Sequence, residues 1–259
     1  MIRFIASDID GTLLHGSETS LHPALFDEIR RLRKKGILFA PCSGRQYYSL
    51  RDLFAPVADD IYYICENGSC IFSPGADGKL LFHKKMAYET VLDICNNVLS
   101  DARCQLMICS PQMGYLIAKD DYFEEYMQRT EKNLHISVDR PEQVPDSICK
   151  ISVFCEKGLS DVYDIFHTLR AKWEKQVDVA ISGRYWVDIN LADKRTGIEK
   201  ICEILGISPS EIMAFGDNYN DLPMLDFVGK PYLVDSAAPE LLAKYPLHCS
   251  EVIDVLKTL

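Results

Sequence analysis

The sequence predicts an α/β fold: a parallel-sheet core interrupted by an inserted α/β domain that contains an antiparallel sheet. Three observations carry that prediction. Short apolar runs alternate with amphipathic segments at the start of the chain, the rhythm of a parallel sheet covered by helices. The rhythm breaks after about Lys84 and resumes near residue 194. Polar clusters also stand directly after several apolar runs, where parallel sheets place their ligands.

Taken in order, "IRFIAS" reads as a short buried strand. "HPALFDEIRRLRKKG" reads as a helix, with Pro23 in its first turn and Leu25, Ile29 and Leu32 at helical spacing. Its basic end complements the helix dipole, and Gly36 is its stop. "GILFAPCSGR" is a strand ending in a polar turn, followed by a helix from about Gln46. "DDIYYICENGS" is a third strand of the same parallel run, and "CIFSPGADGKLLF" a hairpin about Asp77-Gly78.

Residues 84–190 read as the inserted domain. "MAYETVLDICNNVLSDA" is helical, "CQLMICS" and "GYLIAKD" are paired strands, and "DDYFEEYMQRTEK" is helical again. "CKISVFCEKG" is a strand, "LSDVYDIFHTLRAKW" a helix, and "QVDVAIS" and "RYWVDIN" pair about Ser182-Gly183. The core, residues 1–83 and 191–259, then resumes. It continues with the helix "GIEKICEILG", the strand "EIMAFGD", the short helix "NDLPMLDF", the strand "KPYLV" and two last helices.

Composition narrows the partners. The 259 residues carry a formal net charge of -10, which repels nucleic acid and anionic membrane. Ten cysteines lie in apolar runs with no C-x-x-C among them, so reduced core thiols are expected rather than disulfides or zinc. No leader-like or membrane-spanning segment is evident in the sequence. A cytoplasmic protein is expected, as a monomer or homodimer.

The polar stations carry the chemistry. Asp8 and Asp10 follow the first strand, Ser43 and Gly44 the second, and "GDNYND", Asp217 to Asp221, a later one, while Lys194 opens the helix that returns to the core. Four carboxylates and one ammonium bind no anion unaided. They call for a hard divalent cation with oxygen ligands, Mg2+ foremost. With the cation bound a phosphate fits, held by Lys194, the Ser43 hydroxyl and backbone amides around Ile9 to Gly11 and at Gly44.

Together these stretches resemble the haloacid dehalogenase (HAD) superfamily. "DIDGTLL" is similar to its D-x-D-G-T-L signature, "CSGR" to its second motif, "DKRTGI" to its lysine station and "GDNYND" to its G-D-x-x-x-D motif. Their order resembles the Cof-type phosphatases, whose type IIB α/β cap is inserted between the second and third motifs. The resemblance implies a Rossmann-like core and a cap that governs substrate choice. It implies that Asp8 attacks phosphorus and forms an aspartyl-phosphate, and that Asp10 protonates the leaving alkoxide and then activates water. Asp8, the Asp10 carbonyl and Asp217 would ligate Mg2+. Ser43, Gly44, Lys194 and Asn220 would hold the phosphate, with Asp221, Arg45 and Gly11 in support.

Competing readings stand beside these. Thr196 rivals Lys194 for the lysine station, because Gly197 follows Lys194 by three positions rather than one. Arg45 either steers anions or pairs with a carboxylate. Asn67-Gly68 is a turn that the family places near the site mouth. Tyr62, Tyr63 and Trp186 read as packing, and Arg184 and Tyr185 as candidates for substrate contact. The activity the resemblance implies is hydrolysis of a small phosphorylated metabolite, a sugar phosphate foremost. A phosphomutase of the same superfamily and a non-enzymatic metabolite-binding protein are the alternatives.

Overall fold

A computed structural model describes residues 1–76, 78–131 and 134–259. The chain divides into two units, Met1–Phe82 with Ala192–Leu259, and His83–Leu191.

The first unit begins with β1 (Phe4–Ser7), α1 (Pro23–Lys34), β2 (Leu38–Pro41), α2 (Tyr47–Leu53), β3 (Tyr63–Cys65), β4 (Cys70–Phe72) and β5 (Leu80–His83). Helix α1 buries Leu25, Phe26, Ile29 and Leu32, the stripe its spacing predicts, each burial worth ~1.5–3 kcal/mol. It stops where Gly36 takes a positive φ of 79°, a conformation that costs glycine little. Its arginines are tied locally. Arg31 pairs with Glu28, and Arg30 and Arg33 donate to the carbonyls of Pro56 and Asp60.

The second unit comprises α3 (Tyr88–Leu99), β6 (Cys104–Cys109), β7 (Gly114–Ile117), α4 (Asp121–Tyr126), β8 (His135–Ser137), β9 (Lys150–Cys155), α5 (Leu159–Trp173), β10 (Asp178–Ile181) and β11 (Trp186–Asn190). Its sheet has the order β10-β11-β9-β6-β7-β8. The pairs are antiparallel except β7 with β8. One sheet face joins α3 and α5 in a single apolar core that includes Ile94, Leu106, Ile151, Val153, Ile165 and Val187.

The chain returns to the first unit through α6 (Lys194–Leu205), β12 (Ile212–Gly216), α7 (Leu222–Leu225), β13 (Lys230–Val234), α8 (Pro239–Leu242), β14 (His248–Cys249) and α9 (Val252–Lys257). Its main sheet, β14-β13-β12-β1-β2, is parallel throughout. Phe4, Ala6, Ala40, Ile198, Ile212 and Ala214 are among the residues of its core.

Several expectations need correction. The third strand, β3, belongs to a separate sheet with β4 and β5 and is antiparallel to β4. It touches the parallel run through one bridge, Cys42 with Ile64, and through hydrogen bonds from Tyr62 to Phe39 and from Ser43 to Ile64. The expected hairpin does link β4 and β5, but Asp77 of its turn lies outside the described residues. The helix expected over "DDYFEEYMQRTEK" is shorter: α4 ends at Tyr126 and a wider π turn follows, while Lys132 lies outside the described residues. Strands β8 and β14 were not anticipated. All ten cysteines are free thiols and nine are buried. Among the described residues, no helix is long and apolar enough to cross a membrane.

Candidate active site

Strands β1 and β12 are parallel neighbours in the register Ser7 opposite Phe215. The residues that follow them, Asp8 and Asp217, therefore leave the sheet at the same end. The Asp8 amide donates to the Phe215 carbonyl at 3.0 Å, which fixes the exit of the chain. Strand β2 is the other neighbour of β1, with Pro41 opposite Ser7, so Ser43 and Gly44 leave at this end too.

Lys194 is the first residue of α6. Asp193 caps the helix, its Oδ1 accepting from the Thr196 amide at 2.8 Å and from Thr196 Oγ1 at 2.9 Å. A cap residue fixes the helix start and so fixes Lys194. The Lys194 Nζ donates to Asp8 Oδ1, and to Asp221 Oδ1 at 2.5 Å. Of the two rivals for the lysine station, it is Lys194 that meets the carboxylates, while Thr196 serves the cap.

The Asp221 Oδ2 accepts from the amides of Asp217 and Asn218, at 3.0 Å each. Asp221 therefore ties the loop after β12 and holds the lysine. Lys194 is 1% exposed, Asp221 0% and Asp8 6%. Oxygen atoms of Asp8, Asp217 and Asp221 all lie within 4.8 Å of one another.

The charges are out of balance. With all three carboxylates ionised, one ammonium would leave a net charge of two negative in a largely buried cluster. Burial pushes the Asp8 carboxyl up to about 8, against the pull of Lys194, and Asp221 and Asp217 add to the rise. Burial also raises Asp217, with Asp221 reinforcing it. Burial alone would lower Lys194, but Asp221 and Asp8 outweigh it and hold its ammonium above the ordinary value. The carboxylates hold their charge together only if a further cation joins them.

Gly11 lies close beneath this cluster. Its φ is 97°, and a Cβ there would run into the carboxylate of Asp217. Only glycine suits that backbone and that approach. The Gly11 amide is committed to the Leu14 carbonyl at 2.8 Å, which removes it from the amides expected to meet an anion, those around Ile9 to Gly11 and at Gly44.

Asp10 is exposed, and among the described residues no hydrogen bond ties its carboxylate to Lys194. Arg45 grips it with two bonds, Nε to Oδ2 at 2.9 Å and Nη2 to Oδ1 at 2.5 Å. Of the two readings of Arg45, the structure displays the carboxylate pair. Ser43 is buried; its amide donates to the Ile64 carbonyl at 3.0 Å, and its Oγ accepts from the Arg45 amide at 3.3 Å. Asn67 stands beside it: its amide donates to the Ser43 carbonyl, and a Cβ on Gly44 would come 2.9 Å from its Oδ1. Asn220 is exposed, and among the described residues its side chain makes no hydrogen bond to the cluster. The neighbouring Asn218 caps the turn instead, accepting from the Tyr219 amide at 2.8 Å.

One contributor was missed by the sequence reading. Thr12 Oγ1 donates to Asp217 Oδ1 at 3.1 Å across 205 residues of chain. Its place in "DIDGTLL" was visible, but its partner was not. Trp186 does pack, with its ring centroid 5.1 Å from that of Phe154 and 5.9 Å from that of Phe123.

A parallel sheet thus gathers three carboxylates and a buried lysine beyond its strand ends, in a chain with a second α/β unit inserted. The chain belongs to the haloacid dehalogenase-like hydrolases, whose family model matches residues 5–252. It is 27% identical over 252 residues to the 5-amino-6-(5-phospho-D-ribitylamino)uracil phosphatase YbjI of Escherichia coli, covering 93% of this chain and 88% of that protein. It is 25% identical over 268 residues to the HMP-PP phosphatase of Cronobacter sakazakii, covering 96% and 92%. A solved structure from Eubacterium rectale superposes with a TM-score of 0.86 at 28% identity, covering 99% of this chain and 98% of that one. The HAD subclass IIB sugar phosphatase BT4131 shares the fold, with a TM-score of 0.79 at 16% identity over 99% and 98% of the two chains.

Proposed function

We propose that the chain is a Mg2+-dependent phosphomonoesterase that works through an aspartyl-phosphate on Asp8. The observation that carries this reading is the cluster of Asp8, Asp217 and Asp221, in which buried Asp8 and Asp221 pair with Lys194 and Asp217 is half-buried beside them. Its donors are all hard oxygens, which suits Mg2+. Asp221 is engaged by two amides and the lysine, so Asp8 and Asp217, with the main-chain carbonyl of Asp10, are the groups that would hold the ion. Bound there, Mg2+ neutralises the excess negative charge and lets a phosphate dianion approach the carboxylates.

The protein's own groups then do the chemistry. A carboxylate oxygen of Asp8 attacks phosphorus; the new O–P bond forms as the bond to the alkoxide breaks. Asp10 gives that alkoxide its proton. Asp10 then takes a proton from water, which attacks the same phosphorus and releases phosphate and free Asp8. Lys194 and Ser43 hold the oxygens of the group in transit. Asp10 must carry a proton when the leaving oxygen arrives, so Arg45, which bonds both its oxygens here, yields one of them to that proton.

The substrate is a small phosphorylated metabolite. A sugar or polyol phosphate suits this reading, since the relatives YbjI and YwtE (the latter from Bacillus subtilis) are named for a phosphorylated ribitylamino compound. The second unit, residues 83–191, would select it. In an assay with p-nitrophenyl phosphate and Mg2+, excess EDTA is expected to abolish turnover and excess Mg2+ to restore it. Full turnover by enzyme stripped of metal would contradict the metal assignment.

A further inference from the structure

Cys104 opens β6 and Cys155 closes β9, and the register of these antiparallel neighbours sets the two directly opposite each other. In such a ladder some opposed residues exchange both main-chain hydrogen bonds, with Cα atoms about 5.5 Å apart. The others exchange none and stand about 4.5 Å apart. The main-chain bonds place this pair in the second group. The Cys155 amide donates to the Tyr185 carbonyl at 2.8 Å, just before β11, and the Cys104 amide to the Asp101 carbonyl at 3.2 Å, in the turn before β6. Neither amide is given to the other cysteine.

The thiols are matched as well. Directly opposed side chains share one face of a sheet, and the Cys104 thiol has that of Cys155 as its hydrogen-bonding neighbour. Both residues are 0% exposed, in the apolar core that the sheet shares with α3 and α5. A disulfide needs Cα atoms roughly 4.4–6.8 Å apart, and the spacing of an opposed pair of this group falls inside that range. The bond can therefore form with both strands in place.

Other cysteine neighbours are arranged differently. Cys65 and Cys70 are also opposed, across β3 and β4. There the Tyr62 amide and the Ile64 carbonyl are turned toward β2, which turns the main chain of Cys65 toward Cys70 and gives the wider spacing. Cys149 donates its thiol to the Cys109 carbonyl at 3.2 Å. Cys104 and Cys155 also end their ladder. Half-buried Arg103 and exposed Glu156 and Lys157 flank them, and ladder ends open locally at low free energy, which admits a small oxidant to thiols that are otherwise covered.

We propose that Cys104 and Cys155 are a modification site, a reversible disulfide that pins β6 to β9 when a hydroperoxide reaches the opened ladder end. One sulfur, as thiolate, attacks the peroxide: the S–O bond forms as the O–O bond breaks, and the departing hydroxide takes up a proton and leaves as water. The second sulfur attacks the sulfenic acid so formed; the S–S bond forms, the S–O bond breaks and a second water leaves. The two thiols give up two electrons and two protons, and the peroxide takes them. A dithiol reverses the change. Nothing in this assignment depends on the phosphatase reading.

The full chain is treated with hydrogen peroxide, its remaining thiols are blocked with N-ethylmaleimide, and linked peptides are mapped by mass spectrometry without reduction. A Cys104–Cys155 link is expected as the main product, and dithiothreitol should remove it. Cys104→Ser should abolish it without giving Cys155 another partner. The link closes a loop of about 50 residues, so the oxidised wild type should melt about 5–10 °C above the reduced form, a rise that Cys104→Ser lacks. Recovery of Cys104 and Cys155 as blocked thiols after peroxide overturns the assignment, whatever the variant does. So does a main link between other cysteines, or a Cys104–Cys155 link that forms in urea and not in the folded protein. A link that leaves the melting temperature unchanged or lower overturns the claim that it pins the native sheet.

Discussion

Asp8→Asn is expected to lower turnover of any phosphate ester on the order of 10⁶-fold, the scale seen when a catalytic nucleophile is removed. An amide is a poor nucleophile and cannot carry the phosphoryl group through the cycle. The variant should nevertheless fold. Asp8 is one of three carboxylates around a single ammonium, so its loss relieves repulsion as well as removing one of the bonds of Lys194. Asp221 still holds the lysine, and the loop after β12 keeps its two amide bonds. Steady-state kinetics with p-nitrophenyl phosphate and a thermal melt check both halves. Phosphate release near the wild-type rate would remove Asp8 from its role.

Lys194→Met is expected to act on stability as strongly as on rate. The lysine is 1% exposed and is the cation that the buried carboxylates meet. Removing one partner of a buried ion pair costs about 3–5 kcal/mol, because charge is left uncompensated in a poorly solvating place. Methionine fills a similar volume, so a cavity should add little. Urea unfolding of the metal-free proteins measures the difference. Mg2+ should recover part of it, since the ion replaces some of the missing positive charge. A metal-free variant within 1 kcal/mol of wild type, on the scale of an exposed pair, would show that Lys194 does not balance the cluster.

How far these residues could be read from sequence depended on whether each declared its own chemistry. Asp8, Asp217 and Asp221 did, because carboxylates after apolar strands have few structural uses. Lys194 was harder, with Thr196 as a rival, and only the helix start settled which one faces the carboxylates: Asp193 caps α6 and takes Thr196 for that purpose. Thr12 was out of reach, since its bond to Asp217 depends on two strands lying side by side. Asn220, expected beside the phosphate, is exposed on a turn that Asn218 and Asp221 pin.

The fold shows the same division. Helices α1, α3 and α5 were legible from their periodic apolar stripes. Strands β8 and β14 have three and two residues, too few for a period of two to show. Strand β3 has the apolar run of a parallel strand, yet its ladder is with β4; strand pairing is a tertiary choice that local hydrophobicity does not encode. The pairing of β9 with β11 was also concealed. "KISVFC" and "WVDIN" read as strands, but that Lys150 and Asn190 stand opposite each other depends on the register of the pair.

The central claim is that Asp8 carries the phosphoryl group and Asp10 moves the protons. Rapid mixing of Asp10→Asn with p-nitrophenyl phosphate and Mg2+, followed by mass spectrometry of the quenched protein, tests it most directly. A nitrophenolate leaves without much help from an acid, so the first step should proceed. The second step needs the base and should slow by ~100- to 10,000-fold. The account predicts a burst of nitrophenol close to one per active site, followed by slow turnover, with one phosphoryl group on the peptide that contains Asp8. Fast steady turnover with no burst and no phosphorylated Asp8 peptide would contradict it.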